Sequence, residues 1–394
     1  MTTTVNNEQK KLNVPNLRFK EFQGEWEVES IKDVADFMGG GTPSSSNESF
    51  WQGTIPWVSS SDIVENDIKN ISISRYITEE AIAHSATKLC PAPSILIVSR
   101  VGVGKIALSK EAICTSQDFC NLINIKVEPI FLTYCLSQIM KRKSMEVQGT
   151  SIKGITTSEI QKISINIPSL QEQKKIGKIL SLLDERIATQ NKIIEDLKKL
   201  KSAIIEKLYK EIQGTWYSYR QLFSIINERN KQLEYSNVLS ASQERGMVSR
   251  EDLNLDIHFE RSNISTYKIV KNGDYVIHLR SFQGGFAFSE KTGICSPAYT
   301  VLRPNNLLMY GYLSNYFTSR DFVKSLIIVT YGIRDGRSIN VDEWLDMKVV
   351  IPSKEQQTHI VNVIESIENK IKNEETYSNC LLNQKQYLLR QMFI

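Results

Sequence analysis

Ile167-Pro168-Ser169-Leu170-Gln171-Glu172-Gln173-Lys174-Lys175-Ile176 opens a long helical pattern. The same opening returns 184 residues later as Ile351-Pro352-Ser353-Lys354-Glu355-Gln356-Gln357-Thr358-His359-Ile360. Self-similarity at a fixed distance reports a duplicated unit, and it outranks local signals in reading a fold. Downstream of the first opening, Ile176, Leu180, Leu183, Ile187, Ile194, Leu197, Ile204 and Leu208 recur at alternating steps of three and four, with Gln190 and Lys201 in the vacant slots. That is a heptad seam. The second copy places Ile360, Ile364, Ile367, Ile371, Leu381, Leu388 and Met392 on the same seam, with Glu374, Ser378 and Lys385 as its polar members. Lys201 and Lys385 occupy one slot in the two copies. Ser169 and Ser353 stand where N-caps belong, and Glu172, three residues past Ser169, predicts a capping box. Each pattern predicts a helix of about 40 residues, roughly 60 Å long at 1.5 Å per residue.

A single heptad stripe usually marks an ordinary core-facing helix. Two stripes in register, each closing a domain-sized segment, predict that the helices pack on each other, with the polar slots fixing one register. An antiparallel pair would place the preceding domains at opposite ends of a rod, related by a pseudo-twofold axis.

At 394 residues the chain is too long for one core and suits two globular domains plus helices. Its composition is that of an ordinary globular protein, 41% hydrophobic and 23% charged. A net charge of +4 permits nucleic-acid binding without demanding it. The six cysteines form no C-x-x-C and no metal spacing with the four histidines, so reduced thiols and a cytoplasmic location are expected. Met1 to Lys11 shows no signal-peptide core, and no apolar run approaches the ~18 residues of a membrane span, so no membrane partner is expected.

The chain divides into a tail (1–22), a first globular part (23–167), a first long helix (168–212), a second globular part (213–350) and a second long helix (351–394). Gln23-Gly24-Glu25-Trp26 and Gln213-Gly214-Thr215-Trp216 open the two globular parts. Each leads into a short amphipathic stretch, Ser30 to Phe37 and Tyr219 to Ile226. In the first part, Gly39-Gly40-Gly41-Thr42-Pro43-Ser44 is a loop, and Trp51 to Val58 is an aromatic turn and strand. Thr78 to Ala86 is a helix capped by Thr78. Ile95 to Val98 is a buried strand leading into the loop Ser99 to Lys105. Ile130 to Lys143 is a helix with a basic end. Gln148 to Gly154 is a second polar loop, before the strand-like Lys162 to Ile167. In the second part, Tyr267 to Ile277 reads as strand, Asn-Gly turn and strand. Arg280 to Gly285 answers the Arg100 loop, and Tyr310 to Ser325 answers the helix. Tyr331 to Ser338 answers the Gln148 loop. The framework repeats while the loops diverge, as expected of two modules that share a scaffold and read different ligands.

At these residues the chain resembles the specificity (S) subunits of type I restriction-modification systems, over essentially its whole length. The resemblance is carried by Gly40-Gly41-Thr42-Pro43-Ser44 with Trp51-Gln52-Gly53-Thr54-Ile55-Pro56-Trp57, by Ser99-Arg100 with Gly102, by Gly273-Asp274 with Gly284-Gly285, and above all by the doubled helix opening. It implies an α+β fold: two similar mixed α/β target recognition domains, joined by two long antiparallel coiled-coil helices with an internal pseudo-twofold repeat. It also implies that the domains read the two halves of a bipartite double-stranded DNA site while the helices space them and dock two methyltransferase (M) subunits. Restriction (R) subunits join in the full complex. The chain itself would carry no cofactor; S-adenosylmethionine would serve the methyltransferase partner, and ATP and Mg the restriction partner.

Phosphate contacts give affinity and register, and base-edge contacts give sequence. Arginine matches guanine bidentately, and Asn or Gln matches adenine. Candidate DNA-contacting residues are therefore Thr42, Ser44, Arg100, Lys105, Gln148 and Lys153 in the first module, and Arg280, Gln283, Tyr331, Arg334 and Arg337 in the second. Taken singly, each is also what a solvated surface residue looks like. Gly40, Gly41, Gly284 and Gly285 are expected to serve loop geometry. Candidate coiled-coil residues are Leu180, Leu183, Ile187, Ile194, Leu197, Ile364, Ile367, Ile371, Leu381 and Leu388.

Enzymatic readings are weak. Gly39 to Ser46 and Gly102 to Lys105 lack the Gly-Lys-Ser/Thr spacing of a phosphate-binding loop. No Asn-Pro-Pro-Tyr/Phe of amino-methyltransferases occurs, and the histidines make no triad or metal set. A non-catalytic binding subunit is expected, against the alternative of a coiled-coil adaptor with two protein-binding domains.

Overall fold

The computed structural model describes residues 12–148, 154–242, 245–253, 261–278, 285–331 and 338–394. Its contacts gather into two compact units, one of Met1–Gln190 with Tyr377–Ile394 and one of Asn191–Thr376. The two long helices, Leu170–Lys210 and Lys354–Gln391, each contribute to both.

In the first unit, a sheet runs in the order Asp36–Gly39, Phe119–Ile123, Ser94–Val98, Ile106–Ser109, all neighbours antiparallel. A second sheet runs Arg75–Ile77, Ile55–Val58, Ile113–Thr115, Leu89–Cys90, with Ile55–Val58 parallel to Ile113–Thr115. Ser94–Val98 is buried throughout, which suits its run of β-branched residues. The helix Pro129–Gln148 packs Phe131, Leu132 and Leu136 into the main core. That core also takes Ile176 and Leu180 from the start of the first long helix, and Leu389 and Met392 from the end of the second. The domain is thus fused to the helix pair by one continuous apolar core. Residues 12–26 strap the helix ends: Leu17 N donates to Gln391 O at 2.8 Å, and Arg18 donates twice to Glu172 at 2.8 Å.

The second unit repeats the plan. Its sheet runs Phe223–Ile226, Thr300–Pro304, Tyr275–Ile277, Phe286–Phe288. The core is aromatic, with Tyr219 stacked on Trp344 at 4.3 Å and Phe286, Phe317 and Phe322 around them. It takes Ile360 and Ile364 from the start of the second long helix and Ile205 from the end of the first. These are the 184-residue counterparts of Ile176, Leu180 and Leu389. Each domain also closes on a matching strand pair directly before its long helix. Glu27 faces Ile167 in one unit and Thr215 faces Ile351 in the other.

Within each unit the long helices run antiparallel. In the first, Leu183, Ile187, Leu381 and Leu388 cluster, and Asp184 pairs with Lys385. In the second, Lys198 pairs with Glu375 and Lys201 with Glu368. The polar seam members Gln190, Ser378 and Lys385 are buried, as the heptad reading requires. Of the other expected seam residues, Ile194 and Ile371 are buried while Leu197 and Ile367 are half-buried.

The doubled helix opening now has a physical explanation. Glu172 N and Gln356 N hydrogen-bond Ser169 Oγ (3.4 Å) and Ser353 Oγ (3.3 Å), so both serines cap. Gln173 donates to Pro168 O at 2.8 Å and accepts from Glu128 N at 2.9 Å. Gln357 donates to Pro352 O at 3.1 Å and accepts from Met309 N at 2.8 Å. Each buried glutamine clasps its helix start to the preceding domain, which satisfies groups that burial would otherwise penalise.

Three local expectations are corrected. Glu172 does not complete a capping box, because its carboxylate is held by Arg18. Gln148 is the last residue of the helix Pro129–Gln148 rather than part of a loop. The expected strand, turn and strand at Tyr267 to Ile277 do form, with Lys268–Val270 paired to Gly293–Cys295 and Tyr275–Ile277 to Phe286–Phe288. The buried Asp274 carboxylate accepts from Lys271 N and is held by Arg303 at 2.9 Å, while Gly273 (φ +92°) bonds Ser289 O, so the turn passes the chain between sheets. Tyr310 to Ser325 is not one helix. Gly311 sits at φ +70°, and Ser319 caps a new start by accepting from Phe322 N, leaving only Arg320–Ser325 α-helical.

Candidate nucleic-acid interface

In the first module Thr42, Ser44 and Arg100 stand on loops joined through one turn. Gly40 and Gly41 are pressed against backbone: a Cβ on Gly40 would fall 2.1 Å from Ser116 O, and one on Gly41 2.4 Å from Ala86. Only glycine lets the chain pass so close. Trp57 Nε1 donates to Gly41 O at 2.9 Å, and Trp51 Nε1 to Ser44 O at 3.1 Å. The two indoles meet edge to face at 5.1 Å. Thr42 and Ser44, on the loop this wall holds, are exposed. Thr42 Oγ1 donates to Gln117 Oε1, and Ser99 N donates to the neighbouring Asp118 O at 2.8 Å. The turn Ser116-Gln117-Asp118 therefore sits between the Thr42 loop and the Arg100 loop.

Arg100 is exposed at the tip between Ser94–Val98 and Ile106–Ser109. Ile155 N donates to Ser99 O at 2.8 Å, so the end of the predicted Gln148 to Gly154 loop returns against the Arg100 loop. Lys105 is half-buried and donates to Ser60 O at 3.1 Å. The side chain of Gln148 and all of Lys153 lie outside the described residues.

Sequence reasoning missed Arg75. Its guanidinium lies 4.6 Å above the Trp57 ring, donates to Ser59 Oγ at 2.7 Å and forms an ion pair with Asp62. Burial alone would raise the Asp62 carboxyl. The Ser59 amide and hydroxyl, together with Arg75, outweigh that and hold it below its ordinary range. The run Ser59-Ser60-Ser61-Asp62 was the available signal for such a capped turn. Gln117 was also missed, since a lone polar residue between strands carries no pattern.

In the second module, Arg280, Gln283, Arg334 and Arg337 lie outside the described residues. Their flanks are described. His278 N donates to Gly285 O at 2.5 Å, closing the hairpin Tyr275–Ile277/Phe286–Phe288 that corresponds to the Arg100 hairpin. Tyr331 ends the strand Thr330–Tyr331, whose partner Ser338–Ile339 closes the segment 332–337. In both cases the strands that flank the predicted segment pair with each other.

The chemistry at this face is hydrogen bonding and cation presentation. Among the described residues no group of His, Cys, Asp and Glu could hold a metal ion. Among them, too, no helix is long and apolar enough to cross a membrane.

The architecture is one of two like modules, each with its sheet fused to the long helices through one apolar core. Residues 23–199 match the family model described as the type I restriction modification DNA specificity domain. The chain is 30% identical over 229 residues to the type I restriction enzyme MjaIX specificity subunit of Methanocaldococcus jannaschii, covering 56% of this chain and 49% of that one. It is 32% identical over 221 residues to the EcoR124I/EcoR124II specificity subunit of Escherichia coli, covering 54% and 52%. The matched region spans about half the length of these curated relatives. The crystal structure of the type I S subunit from M. genitalium shares the fold, with a TM-score of 0.56 at 15% identity over 97% of this chain and 99% of that one. Residues 23–199 thus match the type I restriction modification DNA specificity domain, and the chain shares the fold of a type I S subunit.

Proposed function

We propose that this chain is the sequence reader of a type I restriction-modification complex. Each module reads one half of a bipartite duplex site, and the helix pair fixes the gap between the halves. The observation that carries this reading is the repeated core: each module shares one apolar core with the start of one long helix and the end of the other. A module fused in that way can present divergent loops from a constant base. The exposed residues Thr42, Ser44 and Arg100 supply polar groups and a cation for phosphates and base edges, and the segments holding Arg280 to Gln283 and Arg334 to Arg337 serve the second module.

The helix pair is also the proposed dock for two methyltransferase subunits. The first long helix leaves Ile179, Leu182, Ile193 and Leu200 exposed, and the second leaves Leu382 and Tyr387 exposed. Exposed apolar side chains on a helix whose seam is already filled are suited to a protein partner. Methyl transfer would then belong to those partners with S-adenosylmethionine, and cleavage to restriction subunits using ATP and Mg.

The test is a genome-wide map of N6-methyladenine with and without this chain. Two short defined blocks around a fixed gap, lost on deletion, is the expected result. An unchanged map in an otherwise active system overturns the reading in favour of a protein-binding adaptor.

A further inference from the structure

The two modules differ at the connection within one strand pair. In the first, the paired strands Ile55–Val58 and Arg75–Ile77 are joined by residues 59–74. In the second, the counterparts Leu239–Ser242 and Gly246–Ser249 are joined by residues 243–245. The correspondence is set by the parallel pairing of Trp57 with Cys114 in one module and of Val238 with Ile294 in the other.

The long connection ties the interface to the helices. Near its start, Ser60 O accepts from Lys105, and Ser59 with Asp62 holds Arg75. Further on, Ile68 is buried in the main core. Lys69 Nζ donates to Ser181 O at 3.0 Å and pairs with Glu185 at 2.8 Å, both on the first long helix. Asn66 O accepts from Lys385 of the second long helix at 3.3 Å, and Asn66 Oδ1 accepts from Lys141 at 3.2 Å. Lys385 is itself held by Asp184 at 2.6 Å, and Asp184 accepts from Tyr134 OH at 2.6 Å. One segment therefore holds two cations of the reading face at one end and grips both helices at the other.

We propose that residues 59–74 are a positioning brace. Through Asn66 and Lys69 the brace fixes the first module on the helix pair and sets the register at which its loops meet DNA. This rests on the duplex-reading function proposed above. Lys69, Lys141 and Lys385 are positioning residues and touch no base. A module lacking this connection keeps its apolar core and its glutamine clasp but has no such brace, and its half-site would tolerate a change in gap length.

The test uses the full chain in complex with its methyltransferase partner, as wild type, Lys69→Gln, Lys385→Met, Lys385→Arg and Lys201→Met. Amide exchange is read over 62–72, and methylation is read on duplexes whose gap is native or one base pair longer or shorter. Lys69→Gln and Lys385→Met are expected to speed exchange about tenfold, and to lower discrimination against the altered gaps about tenfold, which corresponds to loss of one modest interaction. The bases read in each half-site stay the same. Lys385→Arg restores both readouts, and Lys201→Met, in the same heptad slot of the other unit, moves neither. Unchanged exchange overturns the brace, as does faster exchange with wild-type gap discrimination. Should Lys385→Met fail to fold, the surface variant Lys69→Gln decides alone. A wild-type complex that shows no gap preference on any duplex overturns the duplex reading itself, which is a separate outcome.

Discussion

Lys385 Nζ lies 2.6 Å from Asp184 Oδ1, and Lys201 Nζ lies 2.6 Å from Glu368 Oε1. The 184-residue repeat converts one pair into the other: Lys201 becomes Lys385, and Asp184 becomes Glu368. The duplication has therefore preserved an interhelical ion pair whose two copies now sit in different surroundings. Side-chain exposures are 10% and 14% in the first unit but 26% and 43% in the second.

That difference fixes unequal costs. Lys385→Met strands a nearly buried carboxylate and is expected to cost about 2 kcal/mol. Lys201→Met breaks a solvent-screened pair and is expected to cost less than ~1 kcal/mol. Urea unfolding of the full chain, with each unit followed by amide exchange, measures both. Equal costs would mean that burial does not distinguish the two pairs.

The glutamine clasp gives a second expectation. Gln357→Ala would leave Met309 N, Leu307 O and Pro352 O without their partner in a buried site. A loss of roughly 2–3 kcal/mol in the second unit follows. Gln357→Glu should fare no better at neutral pH, because a carboxylate cannot donate to two carbonyls. Denaturation followed by intrinsic fluorescence reads the result, since Trp344 is buried in the same core.

Much of this architecture was legible in the chain. The heptad seam showed directly, because the period of hydrophobic residues is the packing instruction. The caps at Ser169 and Ser353 showed as well. Glu172 was misread because Arg18 is 154 residues away, and only the fold reveals that competition. The pairing partners of the two strands beside Asn272-Gly273 were hidden for a similar reason. An Asn-Gly turn between β-branched runs usually joins paired strands, but here the Asp274–Arg303 pair redirects the chain. Of the interface, the glycine loops were visible as breaks in pattern. Arg75 was not, because its role is defined by Trp57 and Asp62 through pairing of separate strands.

Gly40→Ala tests the Thr42 loop. The added methyl would meet backbone oxygen at Ser116, which can move only if the loop moves with it. A destabilisation of about 1–3 kcal/mol is expected, as in overpacked sites. The methylation map should lose definition in one half-site and keep it in the other. Equal damage to both halves would show that the loop serves the whole chain rather than its module.

Acid should weaken the turn at Asp62. Its carboxyl is held below the ordinary value of 3.8 in the folded chain, so its contribution is fully present above that value. The contribution is lost as the pH falls through the lower folded value. Between pH 5 and pH 3, values chosen to bracket the ordinary carboxylate range, wild type should lose more stability in the first unit than Asp62→Asn. The Asn variant starts less stable and is less sensitive to acid at this position. Amide exchange over 59–75 at the two pH values checks the sign, and a steeper acid loss in Asp62→Asn would contradict it.

Arg100 gives the most direct functional prediction. It is exposed on a loop that Ser99 anchors to Asp118 and Ile155, so truncating it should leave the fold intact. If Arg100 contacts a phosphate, Arg100→Ala should weaken binding to all duplexes alike and lower the slope of log affinity against log salt by about 1. If it reads guanine, the variant should lose about 1–3 kcal/mol on the cognate site only and accept other bases at one position of one half-site. Titrating cognate and scrambled duplexes between low and moderate salt separates the two. Wild-type affinity and slope in the variant would remove Arg100 from the interface and leave Thr42, Ser44 and Arg75 as the groups of the first module to test next.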